Sequence, residues 1–157
     1  MNPSIRNYTA SDRDACRSIF VSNMPTFFAP EELADFENWL DGYRKKDVSD
    51  DTVDAYFVLE NDRRILACGG YFLELSSRLA TMTWGMVAND QHRKGYGRQL
   101  LLYRIEQIRT LLPDAVIALD TSQHAYRFFE KLGFTVQKIT PNGYAEGLDR
   151  YDMIASQ

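Results

Sequence analysis

The chain has 157 residues and a formal net charge of −4, with 22 acidic side chains against 18 Lys and Arg. Hydrophobic residues make up 45%, too many for a disordered chain and enough for a packed core; the length fits one domain, 1–157. The acidic balance speaks against a general affinity for nucleic acid. No apolar run reaches membrane-spanning length, and "MNPSIRNYTASDRD" lacks the apolar stretch of a secretory leader, so a cytoplasmic protein with neither nucleic-acid nor membrane partners is expected. Cys16 and Cys68 stand in no metal-ligand spacing, and free buried thiols are the simplest expectation.

In chain order, "SIRNY" predicts a first strand and "SDRDACRSIFVSNM" a helix, with Cys16, Ile19 and Phe20 on one face and Ser11 or Asp12 as cap. "MPTFFAP" is a break. "PEELADFENWLDGY" predicts a second helix that opens on Pro30 and stacks Leu33, Phe36 and Leu40. The polar "RKKDVSDDTVD" reads as a solvated loop. "AYFVLE", "ILACGGYFLEL" and "LATMTWGMVA" predict three strands joined by short turns at Asn61–Arg64 and Ser76–Arg78, an antiparallel meander.

"QHRKGYGRQLLLYRI" follows, Gln91 to Ile105. Its helical part carries Leu101, Ile105, Ile108 and Leu112 on one stripe. "AVIALD" is continuously apolar and predicts a strand buried on both faces, parallel to the third meander strand through a βαβ crossover. "QHAYRFFEKL" predicts a helix with Gly133 just past its end. "FTVQKI" and "RYDMIA" close the order β-α-α-β-β-β-α-β-α-β-β, a mixed α/β sheet. "NGYAEGLDRYDM" places two glycines around Tyr144 and reads as a loop.

The glycines at 95 and 97 pose the functional question. A helix N-terminus has unpaired N–H groups and a positive dipole end, and glycines let successive N–H groups face one anion. Arg93, Lys94 and Arg98 add charge. The plain alternative is a turn with solvated basic side chains. The strand before and the helix after favour an anion site, although the spacing is neither a P-loop nor a dinucleotide fingerprint.

Two motifs now carry a resemblance. "MVANDQHRKGYGRQLL" is similar to the acetyl-CoA motif of the GNAT superfamily of N-acetyltransferases, and "AYRFFEKLGF" resembles that family's Ala-x-x-Phe-Tyr-Glu-Lys-x-Gly-Phe helix. "SIRNYTASDRDACRSIF" and the element order match as well. The resemblance implies a mostly antiparallel sheet with a splayed parallel pair, strands four and five, flanked by helices. It implies acetyl-CoA as cosubstrate, with its pyrophosphate on the amides of His92 to Gly97, Tyr96 included, and its pantetheine arm along Met86 and Val87 in the manner of an added strand. Gly85 marks either the bulge that opens the cleft or simple crowding.

The chain departs from the family pattern twice. His92 stands at a Gln or Arg position, which main-chain binding of phosphate tolerates. Phe129 stands where many relatives carry a proton-donating tyrosine, so Tyr126, one turn earlier, is the candidate acid. Ser122 is placed to touch the pantetheine arm or to cap the helix. No glutamate lies on the fourth strand; Glu74 is the nearest carboxylate in sequence and Asp120 the second candidate base. Met24, Phe27, Phe28, Trp39 and Tyr144 fall in the region where such folds bind the acceptor. The implied activity is transfer of an acetyl group to a primary amine, of a small molecule in the first reading. Alternatives are a protein lysine or N-terminus as acceptor, and a non-catalytic acyl-CoA sensor. Relatives of this fold often form homodimers.

Overall fold

The computed structural model describes residues 3–49 and 51–155. Eight strands form one sheet in the order β1-β3-β4-β5-β6-β8-β7, with β2 also paired to β3. The strands are β1 Ser4–Asn7, β2 Lys46–Ser49, β3 Thr52–Asn61, β4 Arg64–Glu74, β5 Leu79–Val87, β6 Val116–Thr121, β7 Thr135–Ala145 and β8 Leu148–Ala155; the helices are α1 Arg13–Ser22, α2 Leu33–Gly42, α3 Tyr96–Leu111 and α4 Tyr126–Glu130. The β5–β6 pair is parallel and all others are antiparallel.

Three expectations are corrected. The polar segment after α2 is not all loop: Lys46–Ser49 pairs beside β3, because backbone pairing needs no apolar side chains at a sheet edge. The parallel pair expected as strands four and five is present and is numbered β5 and β6 because this extra strand is counted. The segment around Tyr144 is not a loop: β7 runs through Ala145 and turns at Glu146–Gly147 into β8, with Gly147 at φ +79° supplying the turn. Its register slips between Thr140 and Ala145. And "AVIALD" is not buried on both faces. Ile117 and Leu119 are buried, but Val116 is 36% exposed, since α1 lies over β4 and β5 and leaves that face of β6 more open.

Two apolar layers sandwich the sheet. Cys16, Ile19 and Phe20 of α1 and Phe36 and Leu40 of α2 bury one face together with Tyr56, Cys68 and Met86. Leu100, Leu101 and Ile108 of α3 cover the other, with Phe57, Tyr71, Ile117 and Met153. Each large side chain of this kind contributes about 1.5–3 kcal/mol when fully buried. Cys16 and Cys68 are buried and free.

The strand that positions the site is β5. It pairs with β6 only over Leu79–Thr81, opposite Val116–Ala118, and the two then separate. Its pairing with β4 slips between Cys68 and Gly70, where Trp84 takes φ +40°. This is a β-bulge. It changes the parity of the strand: Ala80 and Met82 face α3, while Trp84 and Met86 face α1 and α2.

Candidate active site

Past the bulge, β5 ends at the open gap. Ala88 N–H donates to Leu66 O at 2.8 Å, bracketing the Ala67–Val87 pair. In an antiparallel ladder the bracketed residues turn their own N–H and C=O away from each other, so those of Val87 point away from β4, to the side where β6 has departed. The Val87 carbonyl accepts from Asn23 Nδ2 at 2.8 Å and stands 2.9 Å from His92 Nε2. Asn23 Nδ2 also donates to Ile19 O. Both partners are carbonyls, which fixes the amide orientation and leaves the buried Asn23 Oδ1 without a partner.

A short 3-10 turn, Asn89–Gln91, leads into the loop. Arg93 has φ +64° and Gly95 φ +87°. Gly95 is the N-cap of α3, and no side chain caps the helix. The first helical bond is Gln99 N–H to Gly95 O, 3.0 Å, so the N–H groups of Tyr96, Gly97 and Arg98 lack partners within the helix. A Cβ at Gly95 would meet nothing within 4 Å; the space in front of this sixteen-residue helix is open. An uncapped N-terminus with open space suits an anion. Arg93, Lys94 and Arg98 are exposed around it.

The residues present fit acetyl-CoA on three counts. The N–H groups at Tyr96–Arg98 suit its pyrophosphate. The outward N–H of Val87 suits a carbonyl of an amide-bearing arm. The orphaned Asn23 Oδ1 offers an acceptor beside that strand end.

Asp120 lies beside the gap, past the paired part of β6, and Glu32 is within electrostatic range of it. Asp120, at the end of β6, accepts from the Tyr144 hydroxyl and lies 3.9 Å from Arg150 Nε. Glu32, in the turn that opens α2, accepts from Ala29 N–H at 3.0 Å. Burial first, and nearby Asp120 among further acids, raise the proton affinity of Glu32 above that of an ordinary glutamate, an effect that this hydrogen bond opposes. Burial and Asp120 likewise push the Tyr144 phenol up. Phe27 sits edge-on to His92, 5.2 Å between ring centres, and to His124, 6.1 Å. It thereby bridges the loop after β5 and the turn after β6, across the mouth of the gap.

The other anticipated residues make contacts of their own. The His92 ring turns back to the Val87 carbonyl, so it braces the loop. Ser122 is buried, and its Oγ accepts from His124 N–H at 3.2 Å, shaping the turn before α4. Tyr126 stacks on Tyr151 at 4.5 Å and its oxygen accepts from Arg127 Nε at 3.1 Å. Phe129 packs edge-on against Phe128 and Phe134. Glu74 is not brought to the gap: it pairs with Leu79, the first residue of β5, while the loop follows Val87, roughly 26 Å along the strand at ~3.3 Å per residue. Phe28 stacks on Phe20, and Trp39 packs on Tyr56; with Met24 they line the α1/α2 core.

Glu32, Asn23 and Arg104 were not singled out from sequence. Glu32 carried one signal, an acid three residues after Ala29 at a Pro-initiated turn. Arg104 carried another: it falls between Leu100 and Ile108 at helical spacing, where an apolar residue belongs.

Comparison with known proteins adds to this geometry. Residues 52–136 match the family model described as Acetyltransferase (GNAT) domain. No curated protein matches the sequence. Among solved structures, a candidate GNAT-family acetyltransferase from Desulfovibrio desulfuricans superposes with TM-score 0.80 at 19% identity, covering 99% of both chains. The ribosomal-protein-S18-alanine N-acetyltransferase of Escherichia coli gives 0.74 at 19%, over 99% of this chain and 94% of the other. A candidate acetyltransferase from Salmonella typhimurium, solved with acetyl-CoA, gives 0.70 at 19%, again over 99% and 94%.

Proposed function

The chain belongs to the GNAT family of acetyltransferases and uses acetyl-CoA, and we propose that it acetylates the primary amine of a small molecule by direct attack in a ternary complex. The amine nitrogen forms the new bond to the acetyl carbon, the carbon–sulfur bond breaks, and CoA leaves with the electron pair. The proton lost by the amine is returned, in sum, to the sulfur.

The observation that carries this reading is Asp120 near the end of β6, past the point where β5 and β6 part, accepting from the Tyr144 hydroxyl, with Glu32 within electrostatic range of it. An alkyl amine has a pKa near ~10.4 and is almost wholly charged at neutral pH. Two carboxylates attract that cation, and Arg150 offsets only part of their charge. Glu32, with its raised proton affinity, is suited to take the proton as general base, directly or through water. Asp120 orients the amine, and Tyr126 is the proton source for the departing thiolate. On the donor side, main-chain groups from Val87 to Gly97 hold the cosubstrate, with Met86 behind them in the core. Phe27 narrows the mouth, which favours a small acceptor over a polypeptide.

The test is release of CoA thiol from acetyl-CoA across an amine library of amino acids, polyamines, aminoglycosides and peptides. Turnover with compact amines is expected. Turnover confined to peptides would replace the small-molecule reading, and CoA binding without turnover on any amine would leave a sensing module.

A further inference from the structure

A buried arginine lies beneath the β4–β5 bulge, on the strand that borders the gap. Arg104, on α3, is 5% exposed, and its guanidinium lies under the β5 bulge. Nη1 donates to Gly70 O at 3.1 Å and stands 3.7 Å from Met82 Sδ, while Nε has no partner. Among the described residues no carboxylate pairs with it; the titratable groups around it are Tyr56 and Cys68. Burying an unpaired charge costs several kcal/mol, so this placement works against stability.

Two glycines accommodate it. A Cβ at Gly69 would stand 3.0 Å from Arg104 Cζ, and one at Gly85 3.0 Å from Nη2. Gly69 and Gly85 face each other across the slipped register of β4 and β5, and a Cβ at Gly69 would lie 3.1 Å from Gly85 Cα. The β4–β5 pair at the border of the gap is therefore bare backbone at this point, with a cation immediately under it. Desolvation lowers the guanidinium pKa to about 10, which leaves it charged at neutral pH.

We propose that Arg104 is an electrostatic positioning residue for acyl transfer, a fixed positive charge held under the glycines of the bulge to favour the negative charge that develops in the adjoining gap. This rests on the donor site proposed at Val87–Gly97. As the amine nitrogen bonds to the acetyl carbon, the carbonyl pair moves onto oxygen; as the carbon–sulfur bond breaks, the pair moves onto sulfur and the amine proton passes to the Glu32–Asp120 pair. Both developing charges are anions, and in a site screened from water a nearby cation acts strongly on them.

The experiment compares CoA with desulfo-CoA, binding each to the whole protein by calorimetry from about pH 6 to about pH 9, a range that spans thiol ionisation. In the wild type, the preference for CoA over desulfo-CoA is expected to grow about tenfold across that range, because a bound thiolate is favoured. In Arg104→Met the growth should vanish, while desulfo-CoA binds as before and the melting temperature stays level or rises; kcat falls on the order of ten- to a hundredfold with KM for acetyl-CoA little changed. Parallel pH dependence of the two ligands in the wild type would overturn the role of Arg104 without recourse to any variant. An unchanged thiol preference in Arg104→Met would do the same. Failure of desulfo-CoA to bind at all would strike the donor site itself, and this proposal with it.

Discussion

Gly97 faces Phe128: a Cβ built on Gly97 would lie 3.5 Å from Phe128 Cζ and 3.4 Å from Val87 Cγ2. The missing side chain therefore points at α4 and the end of β5, not at the open space in front of α3. Alanine fills that space at ordinary contact distance and gains helix propensity worth about 0.5–1 kcal/mol. Gly97→Ala should retain CoA affinity and at least wild-type stability, whereas Gly97→Val forces its methyl groups against Val87 and Phe128 and should cost about 1–3 kcal/mol. Chemical denaturation and CoA calorimetry on the two variants check this. A Gly97→Ala protein that folds well but no longer binds CoA would mean that the Cβ meets the ligand after all.

Gly95 is constrained differently. It has open space around it but φ +87°, a conformation that costs an alanine about 1 kcal/mol or more. The expected result for Gly95→Ala is a small loss of stability and a larger loss of CoA affinity, on the order of tenfold, as the N–H groups of Tyr96–Arg98 lose their common direction. Equal affinity in calorimetry would show that the loop's shape does not govern the anion site.

The proposed donor side rests on local patterns in the sequence. The strand, loop and helix of residues 86–111 are contiguous, so the spacing of Val87, Gly95 and Gly97 already carried their geometry. The acceptor side is only partly visible in the sequence, in Asp120, Phe27 and Tyr144, because its parts meet only through the fold. Glu32 and Asp120 are separated by most of the chain and come within electrostatic range of each other only in the folded protein. Glu74 looked near because β4 adjoins β5 in sequence, yet an antiparallel hairpin puts its closing residues at the end remote from the gap. Arg104 follows a related logic: Ile105 continues the apolar stripe of Leu101 and Ile108, and only the bulge in β5, with glycines at 69 and 85, creates the room that takes position 104 inward. The strand at Lys46–Ser49 had no apolar alternation to betray it.

Tyr126 gives a sharper kinetic prediction than a structural one. Its ring is held by Tyr151, so Tyr126→Phe keeps the stacking and removes only the oxygen that accepts from Arg127. Folding and acetyl-CoA affinity should be unchanged. If the hydroxyl protonates the leaving sulfur, kcat falls by up to on the order of a hundredfold. Full turnover at saturating acetyl-CoA would exclude Tyr126 as the acid and leave water in that role, an outcome consistent with Phe129 at the family's tyrosine position.

The Glu32–Asp120 pair makes the acceptor side testable by pH. The folded-state pKa of Glu32 is raised, by burial first and by Asp120 and other nearby acids after it, against the hydrogen bond from Ala29, so the protonated form persists above the usual glutamate range, where it cannot serve as base. The acid limb of kcat/KM should therefore fall at a pH above that range and shift downward in Asp120→Asn, where one like charge is gone. Glu32→Gln should abolish the limb and lower kcat/KM on the order of a hundredfold or more, with acetyl-CoA affinity intact. Stability moves the other way. A carboxyl that holds its proton more tightly when folded adds stability below the unfolded pKa, and that contribution is lost as pH rises through the folded pKa. Glu32→Gln should thus leave the protein at least as stable as wild type at neutral pH, a loss of activity without a loss of fold. An acid limb that survives unmoved in Glu32→Gln would assign the base elsewhere, with Asp120 itself the next carboxylate in contact with the gap.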